Sequence, residues 1–530
     1  MKREHPALVL AHSGRSLNSA AIWLSETLER HKGAVLAVFS IAYFALTFYR
    51  ASRKLFWFDE LYTVYLSRLP DFKSVWHALL NGVDFNPPVL YLLTRFSEHI
   101  LGEGHIATRL PEILGFWVFC LCLFRFVSLR LSVLSACVSL LFPLVTGAYW
   151  YAYEARAHGI VLGFCGIALI SWQAAAERAA RRGWWLFALG GSLACALLTH
   201  SYAFLIFAPI VLGELCRTAS RKRLDWPVWT TIAASSLAVL ASIPLVHGAI
   251  AVATEVGSQA FFAASLGKIH TSYSSLLIPS GATILAGWLL LTCLFHEETE
   301  SLRHKPGLRS YEVFALWAFV AIPLFEYAAA RLTGAPFLSR YALSAIAGFA
   351  GLLGVAVGKR PALAIATILL VVVQIGFDFQ KFVSGTVLVE PSTGYQISTR
   401  VHEFNERYQW MAEDKTLPIV LTDDLGFITN SFYAPPSMAP QLVYVAWPTG
   451  DINGKVSARL RACCNAEPAI VGLADFLALH DTFLVYSARY EYRLDYFVRT
   501  GATVKTVREA GGHFMVLVTY PKKTIQESSR

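Results

Sequence analysis

The chain has 530 residues, of which 55% are hydrophobic and only 15% are charged, and its mean hydropathy is +0.49. Soluble domains carry about 25% charged residues, so this composition excludes an ordinary soluble protein. The net charge of +9 does not indicate nucleic-acid binding, because the positive residues lie mainly in short loops between apolar runs.

Apolar runs of about 20 residues recur along the chain and predict a polytopic α-helical membrane protein with about eleven transmembrane helices. Residues 1–32 are predicted to form a cytoplasmic N-terminal segment, and 33–378 the transmembrane domain. The predicted spans are 33–50, 106–127, 131–150, 157–173, 184–200, 202–216, 228–250, 281–296, 312–331, 341–357 and 361–378.

The positive residues between the spans predict the orientation of the chain. If the N-terminus is cytoplasmic, the Arg- and Lys-containing loops 174–183, 217–225, 297–311 and 358–360 all lie on the cytoplasmic side. This satisfies the positive-inside rule. We therefore expect a multi-pass protein of the cell inner (plasma) membrane, with everything after the last span outside the cytoplasm.

The first outer loop, 51–105, is long, and its pattern predicts two short helices. "LPDFKSVWHALLNG" is typical of a helix that ends near Gly82. "PPVLYLLTRFSEHIL" has one apolar and one polar face, which favours a helix along the membrane surface. Asn86 is expected to cap this helix and Pro87 to be its first residue.

The tail, 379–530, is more polar, and its shorter apolar runs predict a soluble extracytoplasmic α/β domain. Four segments indicate strands: "LPIVLTDD", "QLVYVAW", "DTFLVYSA" and "HFMVLVTYP". Two indicate helices: "GYQISTRVHEFNERYQWM" and "YEYRLDYFVRTG".

Two adjacent carboxylates, Asp59 and Glu60, follow the first span in "LFWFDELYT". Acidic residues are common in the first turn of a helix, where they favour the macrodipole. A carboxylate in a water-accessible pocket could instead remove the proton from an attacking hydroxyl. The sequence leaves both interpretations open.

Other polar residues from distant segments are predicted to share the outer face. In "YAYEARAHGIVLGF", Glu154, Arg156 and His158 precede or open a span, where an ion pair or an anion site are both possible. The remaining candidates lie at other outer span ends: Asn86, His200, Arg331, Arg340 and Tyr341. His200 could be a hydrogen-bonded structural histidine or could bind a ligand, and Arg340 with Tyr341 could anchor the interface or hold a lipid phosphate. Arg331 could simply pair with Glu326, which flanks the same outer loop.

In their order and spacing, six segments resemble the GT-C glycosyltransferases, and most closely the protein mannosyltransferases and the lipid A aminoarabinose transferases. The resemblance covers about 50–360. The segments are "FWFDELYT", "NPPVLYLLTRF", "ATRLPEILGFWVFC", "YEARAHGIVLGF", "LTHSYAFLIF" and "SRYALSA".

This resemblance implies an inverting transfer of a sugar from a polyprenyl-phosphate donor to a lipid, glycan or protein hydroxyl. Asp59 would be the catalytic base and Glu60 an assisting carboxylate. The residues that would hold the donor phosphate are Arg156, His200, Arg340 and Tyr341.

Asn86, Glu154, His158 and Arg331 are further candidates for the pocket or the acceptor site. A divalent metal is possible, with Glu60 and His200 as candidate ligands. Asn86 stands where many relatives have His, and His158 where they have Tyr, which changes the available ligands.

Two other functions fit an outer-face membrane protein. One is a transporter or flippase of a polyprenyl-linked sugar, which would place charged groups on broken helices near the midplane. The other is a polysaccharide polymerase or ligase.

Overall fold

The computed structural model describes residues 20–177, 180–248, 263–295 and 307–385, and in the C-terminal part 387–389, 391, 396–398, 416–421, 424–446, 459–460, 462–464, 469–487, 492–510 and 513–521. These residues form two compact units. The membrane unit lies within Met1–Arg53, Asn86–Pro244 and Gln259–Gln396. The tail unit lies within Lys54–Phe85, Leu245–Ser258 and Ile397–Arg530.

The principal α-helices of the described residues are numbered in chain order. They are α1 (Lys32–Arg53), α2 (Phe58–Ser67), α3 (Phe72–Leu80), α4 (Val89–Leu101), α5 (His105–Ser128), α6 (Val133–Leu141), α7 (His158–Ala176), α8 (Arg182–Thr199), α9 (Phe207–Arg221), α10 (Trp226–Ser236), α11 (Leu266–Leu277), α12 (Gly281–Leu294), α13 (Ser310–Val320), α14 (Ile322–Thr333), α15 (Ile346–Val357), α16 (Pro361–Ser384), α17 (Asp424–Tyr433), α18 (Leu473–Leu479) and α19 (Tyr492–Arg499). Short 3-10 helices lie at Phe142–Val145, Gly147–Tyr153, Ser201–Ile206, Leu237–Ser242, Ser339–Ala345 and Ala439–Gln441.

The predicted class, an α-helical polytopic membrane protein, is confirmed. Among the described residues, seven helical segments are long and apolar enough to span a bilayer, and three bent pairs raise the number to ten. The seven are Lys32–Arg53, His105–Ser128, His158–Ala176, Ser201–Arg221, Trp226–Gly248, Ser339–Val357 and Pro361–Ser384. Helix α8, counted as a span in the sequence, is not among them, because Arg182, two Trp and three Gly lower its hydropathy.

Helices α5 and α7 pack with their backbones in contact, and this contact positions the start of α7. A Cβ added to Gly115 would lie 2.5 Å from the carbonyl oxygen of Gly159, and one added to Gly159 would lie 2.8 Å from that of Glu112. Only glycine permits so close an approach of two helices. Because His158 directly precedes Gly159, the contact fixes the position of His158 along the axis of α5.

The tail unit contains the predicted α/β fold. Its six-stranded sheet contains β3 (Ile419–Leu421), β4 (Leu442–Ala446), β5 (Ala469–Gly472), β6 (Thr482–Ser487), β7 (Thr503–Ala510) and β8 (His513–Thr519). The strand order is β5-β4-β3-β6-β8-β7. Strands β3, β4, β5 and β6 pair in parallel, whereas β8 pairs antiparallel with both β6 and β7. A separate pair joins β1 (Val387–Val389) and β2 (Gln396–Ser398).

The first-loop segment that carries Asp59 belongs to this tail unit. The Phe56 backbone N–H donates to the Tyr433 hydroxyl at 2.7 Å, and Tyr65 packs edge-on against Phe432 with the ring centroids 6.1 Å apart. These contacts join α2 and the residues before it to α17. The segment is therefore fixed by the C-terminal part of the chain.

Two local predictions are wrong. Helix α4 begins at Val89 with Pro88 at its N-cap, so Asn86 is not the cap. Pro87 precedes another proline, which disfavours the helical conformation for Pro87 and moves the helix start along the chain. Within the segment 394–411, predicted as helix, Gln396–Ser398 form a strand, and 399–411 lie outside the described residues.

The glycine contact between α5 and α7 makes a testable prediction. Gly115→Ala should lower the thermal midpoint of the purified protein in detergent, because its Cβ would meet backbone atoms of α7 at 2.5 to 2.8 Å. Gly191→Ala on α8 is the matched control, since a Cβ there meets nothing within 4 Å. Alanine should stabilise that helix by about 0.5–1 kcal/mol. Equal midpoints for both variants would contradict the packing.

Candidate active site

Three segments of the membrane unit bring the predicted phosphate-binding residues to one place, each at the start of a span. His158 is the first residue of α7, and Arg156 lies two residues before it. His200 is the N-cap of the 3-10 helix that leads into α9. Arg340 and Tyr341 lie in the 3-10 helix Ser339–Ala345, which leads into α15. Helix N-termini carry partial positive charge and backbone N–H donors, so this arrangement favours an anion.

The aromatic rings of these segments form a continuous cluster. The His158 and His200 rings are 5.1 Å apart, and those of His200 and Tyr341 are 5.0 Å apart. Tyr341 stacks on Tyr202 at 4.0 Å between centroids with an interplanar angle of 27°. Arg340 lines the same cavity as both histidines, and Arg156 lies two residues before His158. The cluster thus combines two fixed positive charges with neutral rings.

The hydrogen bond of His200 fixes its protonation state. Its Nδ1 accepts the backbone N–H of Tyr202 at 3.1 Å, so Nδ1 carries no proton and the neutral ring must carry one on Nε2. In this tautomer Nε2 is a donor. His200 is therefore suited to donate to a phosphate oxygen and unsuited to bind a metal through Nε2.

The cavity enclosed by the cluster is small. His158, His200, Tyr202, Arg340 and Tyr341 are among the residues that line a space of about 20 Å³, enough for roughly one water molecule. Both histidines are buried, whereas Arg340 and Tyr341 are half-buried. A phosphate would consequently bind at the rim, where the partly exposed side chains lie, and the buried rings would support them.

The loop before Arg340 is held by two hydrogen bonds. The Leu338 N–H donates to Glu326 Oε1 at 3.0 Å, and the Tyr202 hydroxyl donates to the Pro336 carbonyl. Glu326 is fully buried on α14. Sequence reasoning missed Tyr202 as part of the site, although it lies two residues after His200 in the quoted "LTHSYAF".

Three other candidates do not line this cavity. Glu154 is buried and accepts a hydrogen bond from Trp150 Nε1, one helical turn earlier. Asn86 is buried before α4. Arg331 is exposed on α14 and forms no ion pair with any described residue, so the suggested pairing with Glu326 is wrong.

In the tail unit, the adjacent carboxylates Asp59 and Glu60 both lie in the first turn of α2 but have different surroundings. Glu60 is fully buried, is 3.4 Å from the equally buried Lys54 ammonium and accepts the Trp57 backbone N–H at 3.4 Å. Asp59 is partly exposed. Glu60 is therefore held in structural contacts, and Asp59 is the more accessible of the two residues.

The described residues contain no group of three His, Cys, Asp or Glu side chains placed to hold a metal ion. The two candidate ligands have other roles in the structure, since Glu60 is ion-paired with Lys54 and His200 presents a donor.

No family model and no curated protein matches the chain. Solved structures do share its fold. ArnT from Cupriavidus metallidurans in the apo state is 13% identical, with a TM-score of 0.58 over 92% of this chain and 98% of that chain. ArnT from the same organism bound to undecaprenyl phosphate is 13% identical, with a TM-score of 0.55 over 91% and 98% of the two chains. The chain therefore has the fold of ArnT, and at this identity the likeness concerns the fold alone.

The buried pair Lys54–Glu60 should behave as a coupled unit. Lys54→Met or Glu60→Gln alone should lower the free energy of unfolding by about 3–5 kcal/mol, because each leaves a buried partner uncompensated. The double variant should cost less than the sum of the two. Thermal and denaturant unfolding in detergent measure these changes. Asp59→Asn, at the partly exposed neighbour of Glu60, is the control and should change the free energy of unfolding least. If the effects of the two single variants simply add in the double variant, the two residues do not act as a pair.

Proposed function

We propose that this protein is a membrane glycosyltransferase that takes a sugar from a polyprenyl-phosphate donor. The carrying observation is that His158, His200 and Arg340, from three helix starts, line one cavity, with Arg156 two residues before His158. The fold supports the proposal, because it is shared with an ArnT structure solved with undecaprenyl phosphate. The chemistry of the cluster and the fold of the chain thus point to the same kind of ligand.

The cluster would act mainly on the leaving group. When the sugar–phosphate bond breaks, its electron pair goes to the phosphate oxygen and negative charge grows there. Arg156, Arg340 and the Nε2–H of His200 would stabilise this charge, and such preorganised donors supply a large part of the rate enhancement in many enzymes. Tyr341 would position Arg340, its neighbour in the same 3-10 helix.

Asp59 is proposed as the general base. The acceptor oxygen would form a bond to the anomeric carbon while its proton passes to the Asp59 carboxylate. Attack opposite to the leaving phosphate would invert the configuration at that carbon. The partial exposure of Asp59 supports this role over Glu60, whose carboxylate is engaged with Lys54.

We further propose that the reaction takes place at the extracytoplasmic face of the inner membrane, with a hydroxyl of a lipid, glycan or protein as acceptor. The positive-inside distribution of Arg and Lys supports this orientation. Residues 379–530 would then form an extracytoplasmic domain. Of the further candidates, His158 would support the phosphate site, whereas Glu154, Asn86 and Arg331 lie outside its lining.

Asp59→Asn tests the base. The assay uses a labelled polyprenyl-phosphate sugar as donor and a membrane extract as the source of acceptor. The wild-type protein should release polyprenyl phosphate, and the variant should do so at a rate at least about 100-fold lower. Binding of polyprenyl phosphate should be retained. A folded variant with full transfer activity would end the base assignment. If the wild-type protein moves the donor lipid across a membrane and leaves its sugar–phosphate bond intact, the protein is a transporter instead.

Arg156→Met and Arg340→Met test the phosphate site. Each should weaken binding of undecaprenyl phosphate by roughly 10-fold, because a charge-assisted hydrogen bond is worth about 1.5–3 kcal/mol. Fluorescence or calorimetric titration in detergent measures the affinity. Arg125→Met is the matched control, since Arg125 is exposed in the last turn of α5. The site is wrongly placed if the control weakens binding as much as the other two.

A further inference from the structure

The tail unit contains a second, larger cavity that the proposed reaction does not use. This cleft has a volume of about 980 Å³ and lies between α3 with the residues that follow it and a wall that includes Arg459, Ala462 and Cys463. Typical small-ligand sites measure about 300–1,000 Å³, so the cleft is large enough for a whole headgroup. It is also far larger than a lone phosphate ion requires.

Among the described residues that line the cleft, the charged side chains have one sign. Lys73 and His77 lie four residues apart on α3 and thus on the same face of the helix, and both are exposed. Arg459 lines the facing wall, where its Nη1 donates to the carbonyl of Asn81, the C-cap of α3, at 2.8 Å. None of the described residues that line the cleft is Asp or Glu. The cleft therefore favours an anion.

The rest of the lining is largely apolar, with Leu69, Ala78 and Val83 among its residues. Next to the cleft, Phe72 and Phe85 are exposed, with about half of each side chain accessible. Exposed aromatic side chains beside a basic helix face are typical of segments that contact lipids. A ligand with one negative group and an adjoining apolar part fits this combination better than a simple ion.

We propose that the cleft is a binding site for the phosphate headgroup of an amphiphilic lipid. Lys73 and Arg459 hold the phosphate from two sides, and the apolar wall receives the adjoining glycerol or acyl carbons. The site is separate from the cluster around His200, and its existence does not depend on the transferase activity.

The test uses Cys463, which lines the cleft, as a local reporter. The full-length reduced protein, carrying Cys464→Ser, is labelled with N-ethylmaleimide in detergent, and the rate at Cys463 is read by peptide mass spectrometry. Dihexanoyl phosphatidylglycerol should slow labelling at least about fivefold at saturation. Added salt should weaken the protection, because exposed charges are screened.

Lys73→Gln, at an exposed position, should raise the concentration of phosphatidylglycerol that gives half protection at least about fivefold. Lys505→Gln removes the same charge from the exposed face of β7 and should leave it unchanged. Arg156→Met should also leave it unchanged, which separates this site from the proposed donor site. The proposal is overturned if dihexanoylglycerol, which lacks phosphate, protects equally, or if Lys73→Gln has no effect. Equal protection by inorganic phosphate would likewise overturn it, in favour of a simple anion site.

Discussion

The membrane unit depends on bringing the N-terminal ends of three spans to one point. Each end contributes backbone N–H groups that have no partner inside the helix, and two of the segments add an arginine. The partial positive charges of these helix ends and the two arginines repel one another, so packing must hold the ends together. The backbone contact of Gly115 with Gly159 holds α7, and Glu326 together with Tyr202 holds the loop before Arg340. The proposed phosphate would offset the cost of this convergence.

The two adjacent carboxylates illustrate how surroundings separate the roles of identical groups. Glu60 and Lys54 are both fully buried, and the Trp57 N–H adds a hydrogen bond to the same carboxylate. A carboxylate held in this way is a poor base, because its negative charge is already stabilised by its partners. Asp59, one residue earlier on a different side of α2, is partly exposed. Glu60 therefore fixes the first turn of α2, and Asp59 extends from that turn.

Much of this could be predicted from the sequence where the signal is periodic or local. The apolar runs predicted the spans, and strands β3, β4, β6 and β8 were found because each carries a dense Val, Leu and Phe pattern. Strand β7 was missed since "TVKTVREA" lacks the apolar alternation of a strand: its two valines are three residues apart, among charged residues at a sheet edge with a register shift. The tautomer of His200 and the stacking of Tyr202 on Tyr341 could not be predicted, because they depend on contacts between residues 139 positions apart or on exact backbone geometry.

The broken helices bear on the choice between transferase and transporter. Transporters place ligands at unwound backbone near the midplane, where the freed groups coordinate the substrate. Here the bend between α11 and α12 meets the break after Val145: the Ser280 N–H donates to the Val145 carbonyl at 3.1 Å. The Ser280 hydroxyl donates to the Asp378 carboxylate at 3.0 to 3.1 Å. These polar groups are bonded to protein, as backbone buried in a membrane requires. These two breaks are thus accounted for by packing, and the proposed phosphate-binding residues lie at the span ends instead, which favours chemistry at the membrane surface over passage through it.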